Sequence, residues 1–271
     1  MLPILHLGPL AIQTAGLVVI LSLWLGLTLS ERLAVRIQVT RAEMDNLALV
    51  VLVAGLLGAR LTYIARYPDA FLHNPFSLIS PSPALLDVMG GIAVAAIAAA
   101  VYMQRRKMSF WRTMDALTPA FAVLFVGIGV SHLASGAAFG APSNLPWSID
   151  LWGSRRHPSQ IYEILAASGI LVFVWQRFER LKYGYAKLTV GSTFLTFLAL
   201  SAGSRLFLEA FRGDSILLFG HLRSAQLVSW LILAFSLFML ERFHEINLAE
   251  HPSTIENQAD GPIHQPTETG R

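Results

Sequence analysis

The chain reads as an all-α integral membrane protein with seven transmembrane helices, its N-terminus outside and its C-terminus in the cytoplasm. Three observations carry that expectation. Of 271 residues, 54% are hydrophobic and only 14% charged, a balance that suits a polytopic membrane protein and not a soluble domain. Seven apolar runs, at 10–30, 46–66, 84–103, 113–134, 160–177, 188–211 and 224–241, approach the roughly 20 residues that a helix needs to cross a bilayer. The basic residues also alternate from one connection to the next. Arg32, Arg36, Arg41, Arg105, Arg106, Lys107, Arg112, Arg177, Arg180, Lys182 and Lys187 follow the odd-numbered runs. The other connections carry only Arg66, Arg155, Arg156, Arg212 and Arg223. Eleven against five puts the first group in the cytoplasm by the positive-inside rule.

In chain order, the start Met1-Leu2-Pro3-Ile4-Leu5-His6 lacks the basic n-region of a cleaved signal peptide, so it is expected to be retained. The second run carries Arg60 and Tyr63 near its outer end. Residues 67–83, with Pro68, Pro75, Pro81 and Pro83, read as an outer loop. Gly90-Gly91 in the third run permits close helix packing. The fourth run has Asp115 and Pro119 near its cytoplasmic end, where a carboxylate at a helix start is a structural feature. Gly127, Gly129 and Gly136 interrupt it, and His132 is its one ionisable residue at depth. Trp147 and Trp152, in the outer segment 139–158, suit an interfacial aromatic belt. The fifth run opens with His157 as cap, Pro158 in the first turn and Gln160 placed to reach back. The sixth contains Gly203, Arg205 and Glu209. The seventh has no lysine, so a retinal Schiff base is set aside. One membrane domain over 1–245 is expected, with a polar, disordered cytoplasmic tail over 246–271.

Several residues are candidates for chemistry. There is no cysteine, which excludes disulfides, thiolate catalysis and a Cys-based metal site, so a reacting thiol must come from a substrate. No residue cluster calls for a metal or cofactor, and the basic residues are too scattered for nucleic acid. Arg205 and Glu209 share a helix face at i, i+4. An arginine within a membrane helix costs several kcal/mol unless it lines a polar cavity, and its guanidinium suits a phosphate headgroup. The alternative is an arginine snorkelling to the interface. Arg60 either faces the same cavity or snorkels. Tyr162 and Glu163 enter a run that continues to Trp175, and a carboxylate there is a functional candidate by default. His132 reads either as a buried neutral histidine or as a proton acceptor.

The stretch His157-Pro158-Ser159-Gln160-Ile161-Tyr162-Glu163 resembles the H-P-S-Q-x-Y-E signature of the bacterial prolipoprotein diacylglyceryl transferases. The resemblance covers roughly residues 5 to 242. It takes in Gly16, Gly58-Ala59-Arg60, Tyr63, Gly90-Gly91, Asp115, Pro119, Gly136, Gly140, Leu145-Pro146-Trp147, Arg205, Glu209 and Gln226. The family's R-I-G-N-x-x-N-G-E-x-x-G motif falls on residues 129–140. There Gly129 stands for the arginine, His132 and Ser135 for the asparagines, and Ala137 for the glutamate. Elsewhere Met89, Ala15 and Ser201 replace a histidine and two tyrosines. The resemblance implies a multi-pass enzyme of the bacterial inner (cytoplasmic) membrane. It would transfer diacylglyceryl from phosphatidylglycerol to the lipobox cysteine of a prolipoprotein. It further implies substrate-binding roles for Arg205, Glu209, Gln160, Arg60, Gly136 and Gly140, with catalytic candidates among His157, Tyr162, Glu163 and His132. The departures imply the alternative, a non-catalytic relative that binds lipid or lipoprotein in the same cavity.

Overall fold

A computed structural model describes residues 4–7, 10–37, 39–73, 85–182, 189–218 and 220–250. The chain opens with a hairpin of β1 (Ile4–Leu7) and β2 (Leu10–Gln13), followed by α1 (Thr14–Ala34), α2 (Arg41–Arg66) and the short α3 (Pro68–His73). Next come α4 (Val88–Arg105), α5 (Phe110–Ser135) and a hairpin of β3 (Ile149–Leu151) and β4 (Ser154–Arg156). Then follow α6 (Ser159–Lys182), α7 (Ser192–Leu208) with a 3-10 turn over Glu209–Phe211, a hairpin of β5 (Leu217–Leu218) and β6 (Leu222–Arg223), and α8 (Ser224–Glu250). The seven long helices α1, α2 and α4 to α8 are each long and apolar enough to cross a membrane. They match the seven expected runs in number and order.

Helix boundaries follow local chemistry. The second helix starts at Arg41, ahead of the expected 46, because Thr40 caps it. The Thr40 hydroxyl accepts from the Glu43 N–H at 3.3 Å, and Glu43 accepts from the Thr40 N–H at 2.9 Å, a reciprocal capping box. Asp87 caps α4 by accepting from the Gly90 N–H at 2.8 Å. The last helix continues to Glu250, beyond the expected 241. The expected tail past that point, and Pro75, Pro81 and Pro83 of the expected loop, lie outside the described residues.

Among the described residues, three two-stranded antiparallel hairpins lie outside the long helices. They precede α1, join α5 to α6 and join α7 to α8, so helices that alternate in direction bring all three to one end. The β3–β4 turn uses Trp152 and Gly153, both at positive φ (53° and 74°), as a tight two-residue hairpin turn requires.

The main packing partners are α1 with α5, α2 with α4, α7 with α8 and α5 with α6. The core cluster draws Leu33 and Ala34 from α1, Ala116 and Ala122 from α5, Ile170, Val174 and Phe178 from α6, and Phe197 from α7. Small residues let backbones approach, as membrane helix pairs need. At Gly91 a Cβ would come 2.9 Å from the Ala59 Cβ and the Gly55 carbonyl, in keeping with the packing reading of the Gly90-Gly91 pair. Asp115 is fully buried and accepts from the N–H groups of Gly191 (2.5 Å) and Phe194 (2.8 Å). It satisfies otherwise orphaned donors at the start of α7, a structural role as expected.

Candidate functional site

The site is built where the hairpin ends of α5, α6 and α7 meet. Three extended segments lie side by side there. The Ala141 N–H donates to the Phe211 carbonyl (2.8 Å), the Gly213 N–H to Phe139 (2.9 Å), the His157 N–H to Ala141 (3.0 Å) and the Ser143 N–H to Arg155 (3.0 Å). This clasp fixes the backbone of Arg212 opposite Gly140. A side chain at Gly140 would run into the His157 carbonyl and Cβ, so only glycine fits the crossing. Gly136 ends α5 in the left-handed conformation, φ 74°, the usual helix C-cap geometry for glycine. Both glycines therefore shape the backbone of the site.

At its centre is Glu163, one turn into α6. One carboxylate oxygen, Oε2, lies 2.8 Å from His132 Nδ1, while Oε1 accepts from Arg205 Nη1 at 3.0 Å and Arg212 Nη1 at 2.7 Å. Arg205 also pairs with Glu209 at 3.2 Å across one helical turn, as the i, i+4 spacing predicts. Glu209 is buried, and its carboxylate lies 3.8 Å from Arg212. Arg212 in turn makes a two-pronged bond to Asp214 at 2.9 and 2.8 Å. Burial works against the charge on Arg212, but the Asp214 bonds and the charges of Glu163, Asp214 and Glu209 outweigh it and hold its pKa above the ordinary guanidinium value. Arg223 closes the group by donating to the carbonyls of Glu209 and Arg212 and to Ser215. Three carboxylates and three guanidiniums thus gather here, two of the guanidiniums paired directly with carboxylates, with His132 attached at one edge.

Other expected residues surround this network. His157 sits edge-on to the rings of Phe211 (5.3 Å) and Tyr162 (6.3 Å), and its buried Nδ1 has no hydrogen-bond partner. The Tyr162 hydroxyl accepts from Trp147 Nε1 at 2.7 Å. One expectation needs correction. Gln160 does not reach back to cap α6: fully buried, it donates to the Ala137 carbonyl at 2.9 Å, and Ser159 likewise donates to Ala138 at 2.6 Å. The segment after Gly136 packs onto the helix start and takes these polar groups for tertiary bonds. Arg60, expected either to face the same cavity or to snorkel, makes contacts with Leu85 and Phe71. On α2, it donates to the Leu85 carbonyl at 3.2 Å and lies over the Phe71 ring. Arg212 is a residue that sequence reasoning placed only in a connection. Its signal was the Glu209-Ala210-Phe211-Arg212-Gly213-Asp214 run, with opposite charges three and two residues apart.

Beside the network an apolar groove of about 420 Å³ opens between α5, α7 and α8, with Arg205, Ser201, Ser224, Phe125 and Val228 in its lining. A second hollow of about 320 Å³, lined by Phe121, Ile128 and Phe197, adjoins it through Phe125, Leu198 and Ser201. The Ser201 hydroxyl is buried in this trough without a hydrogen-bond partner. A guanidinium at the head of an apolar trough can hold an anion there and hydrocarbon below.

The sequence matches the prolipoprotein diacylglyceryl transferase family across residues 3–242. The chain belongs to that family. Among relatives, it is 28% identical over 237 residues to the phosphatidylglycerol–prolipoprotein diacylglyceryl transferase of Trichormus variabilis, covering 83% of each chain. It is 28% identical over 255 residues to the protein of the same name from Symbiobacterium thermophilum, covering 88% of this chain and 91% of that one. The Thermosynechococcus vestitus protein of that name is 26% identical over 251 residues, covering 89% and 91%. Gly129 packs directly against α6. A Cβ there would come 2.9 Å from Ile164 Cγ1 and 3.3 Å from the Ile164 backbone nitrogen, so α6 occupies the space that a longer side chain would need.

Proposed function

We propose that this protein is a phosphatidylglycerol–prolipoprotein diacylglyceryl transferase of the bacterial inner membrane. It moves a diacylglyceryl group from phosphatidylglycerol to the thiol of a lipobox cysteine. The observation that carries the reading is Arg205, which belongs both to the charged network and to the lining of the apolar trough. A phospholipid has that same division: an anionic phosphate joined to two hydrocarbon chains. In this reading the phosphate accepts from Arg205, Glu209 holds the guanidinium in place, and acyl chains lie along α7 past Ser201. The thiol must come from the substrate because the chain has no cysteine. Positive charge and fixed donors beside the departing glycerol phosphate stabilise the charge that develops on it. The site then lies at the outer face, with the N-terminus outside and the C-terminus in the cytoplasm, following the basic connections.

The alternative, a relative that binds lipid or lipoprotein without transferring anything, draws on the network itself. Both Arg205 and Arg212 already have carboxylate partners, and the three acidic and three basic side chains cancel. One experiment separates the readings. Purified protein in phosphatidylglycerol micelles is given a lipobox peptide, and the thioether product is sought by mass spectrometry. Product formation that Arg205→Ala abolishes supports the transferase. Lipid binding with no product supports the binder, and Arg205→Ala with normal turnover removes Arg205 from the site.

A further inference from the structure

The network contains a proton acceptor as well as an anion site. His132 Nδ1 lies 2.8 Å from Glu163 Oε2, while the other oxygen of that carboxylate is held by two guanidiniums at 3.0 and 2.7 Å. A carboxylate accepts hydrogen bonds and does not donate them, so the ring nitrogen facing it carries the hydrogen. In the neutral ring the opposite nitrogen, Nε2, then presents a lone pair. The His132 side chain is 30% exposed while Glu163 is 11% exposed. The ring is thus more open than its anchor. Fixing a base by a buried third group is the arrangement that activates nucleophiles in many folds. His157, the other histidine candidate, is packed against aromatic rings and has no carboxylate partner on its buried Nδ1.

We infer that His132 is the general base that deprotonates the acceptor thiol, with Glu163 as the positioning residue that sets its tautomer; this rests on the transferase reading above. The thiol proton passes to Nε2. The thiolate attacks the glyceryl carbon that bears the phosphate ester: the C–S bond forms, the C–O bond breaks, and the electron pair leaves on the glycerol phosphate oxygen. His132 then returns the proton to that phosphate, restoring the neutral ring. The same carboxylate binds the base and Arg205. It therefore sets Nδ1 and the guanidinium nitrogen within about 8 Å of each other, a span that one substrate pair bridges. The charged groups facing the ring through this carboxylate are Glu163 from α6, Arg205 from α7 and Arg212 from the following connection, with Glu209 and Asp214 behind them.

The test uses the whole protein in phosphatidylglycerol micelles with a lipobox peptide. His132→Asn keeps a donor for Glu163 but cannot take up a proton. It is expected to lower kcat by about 100-fold or more, to leave phosphatidylglycerol affinity within about twofold, and to erase the acid limb of the pH–kcat profile. Added imidazole is expected to restore turnover to His132→Ala. On the unmutated protein, ¹⁵N NMR of labelled histidine is expected to show the Nδ1–H tautomer. A His132→Asn protein with turnover and pH profile like the parent overturns the base role alone, as does a neutral His132 with its hydrogen on Nε2. Parent protein that yields no thioether overturns the transferase reading, and the base role falls with it.

Discussion

Glu163 bonds to three partners at once, so replacing it with glutamine separates its contributions. The amide oxygen can still accept from Arg205 and Arg212, but the negative charge is lost, and an NH2 group replaces the acceptor at His132. Each guanidinium keeps an acceptor but loses the opposite charge it was paired with, about 1 kcal/mol apiece, so folding stability should drop by about 2 kcal/mol. Lipid affinity should move the other way. A phosphate on the free edge of Arg205 lies about 6 Å from Glu163, where two unit charges repel by about 2.8 kcal/mol at an effective dielectric constant near 20 and about 0.7 kcal/mol in bulk water. Because the Arg205 side chain is a third exposed, about 1.4 kcal/mol is a fair intermediate, or tenfold tighter phosphatidylglycerol binding. Turnover should fall by about 100-fold or more, because His132 loses the acceptor that orients it. Equilibrium lipid binding by native mass spectrometry and single-turnover thioether formation measure the two effects separately. Weaker lipid binding combined with an unchanged rate would refute the reasoning, since that pattern belongs to a carboxylate that binds lipid and takes no part in the chemistry.

Three further substitutions test the supports of the site. Gly140→Ala forces a methyl group into the His157 backbone, and overpacking of that kind costs about 1–3 kcal/mol; thermal unfolding in detergent should register it, with turnover lost as the clasp shifts. Asp115→Ala removes two bonds to the start of α7 and should destabilise by about 2–3 kcal/mol while lipid affinity in the folded fraction stays unchanged. Ser201→Phe fills the trough beside Arg205, so phosphatidylglycerol affinity should fall about tenfold; an unaltered dissociation constant would take the acyl chains out of that trough.

The long helices were legible because an apolar run of about 20 residues has few other uses. Arg205 and Glu209 were legible for a related reason, since charge inside such a run demands a partner. What periodicity cannot give is the neighbour a side chain turns toward. Arg60 and Arg205 look alike as arginines near helix ends, yet one meets Leu85 and the other Glu163. Arg212 was counted as a connection charge, because its bond to Glu163 spans 49 residues and depends on the clasp that positions it. The hairpins escaped notice because their strands are two to four residues long, too short for alternation to register. Gln160 was read as a local cap, but the segment after Gly136 offered its amide a distant carbonyl.

The contact between Gly129 and Ile164 constrains more than its own two residues. With α6 settled against a bare backbone, a long side chain placed there demands that the whole rod retreat, along with everything fastened to it. His132 on α5 and the carboxylate opposite it on α6 are fastened in this way, so their 2.8 Å contact depends on that fit. A bulky residue introduced at Gly129 should therefore damage this protein, by parting the two groups on which the base depends.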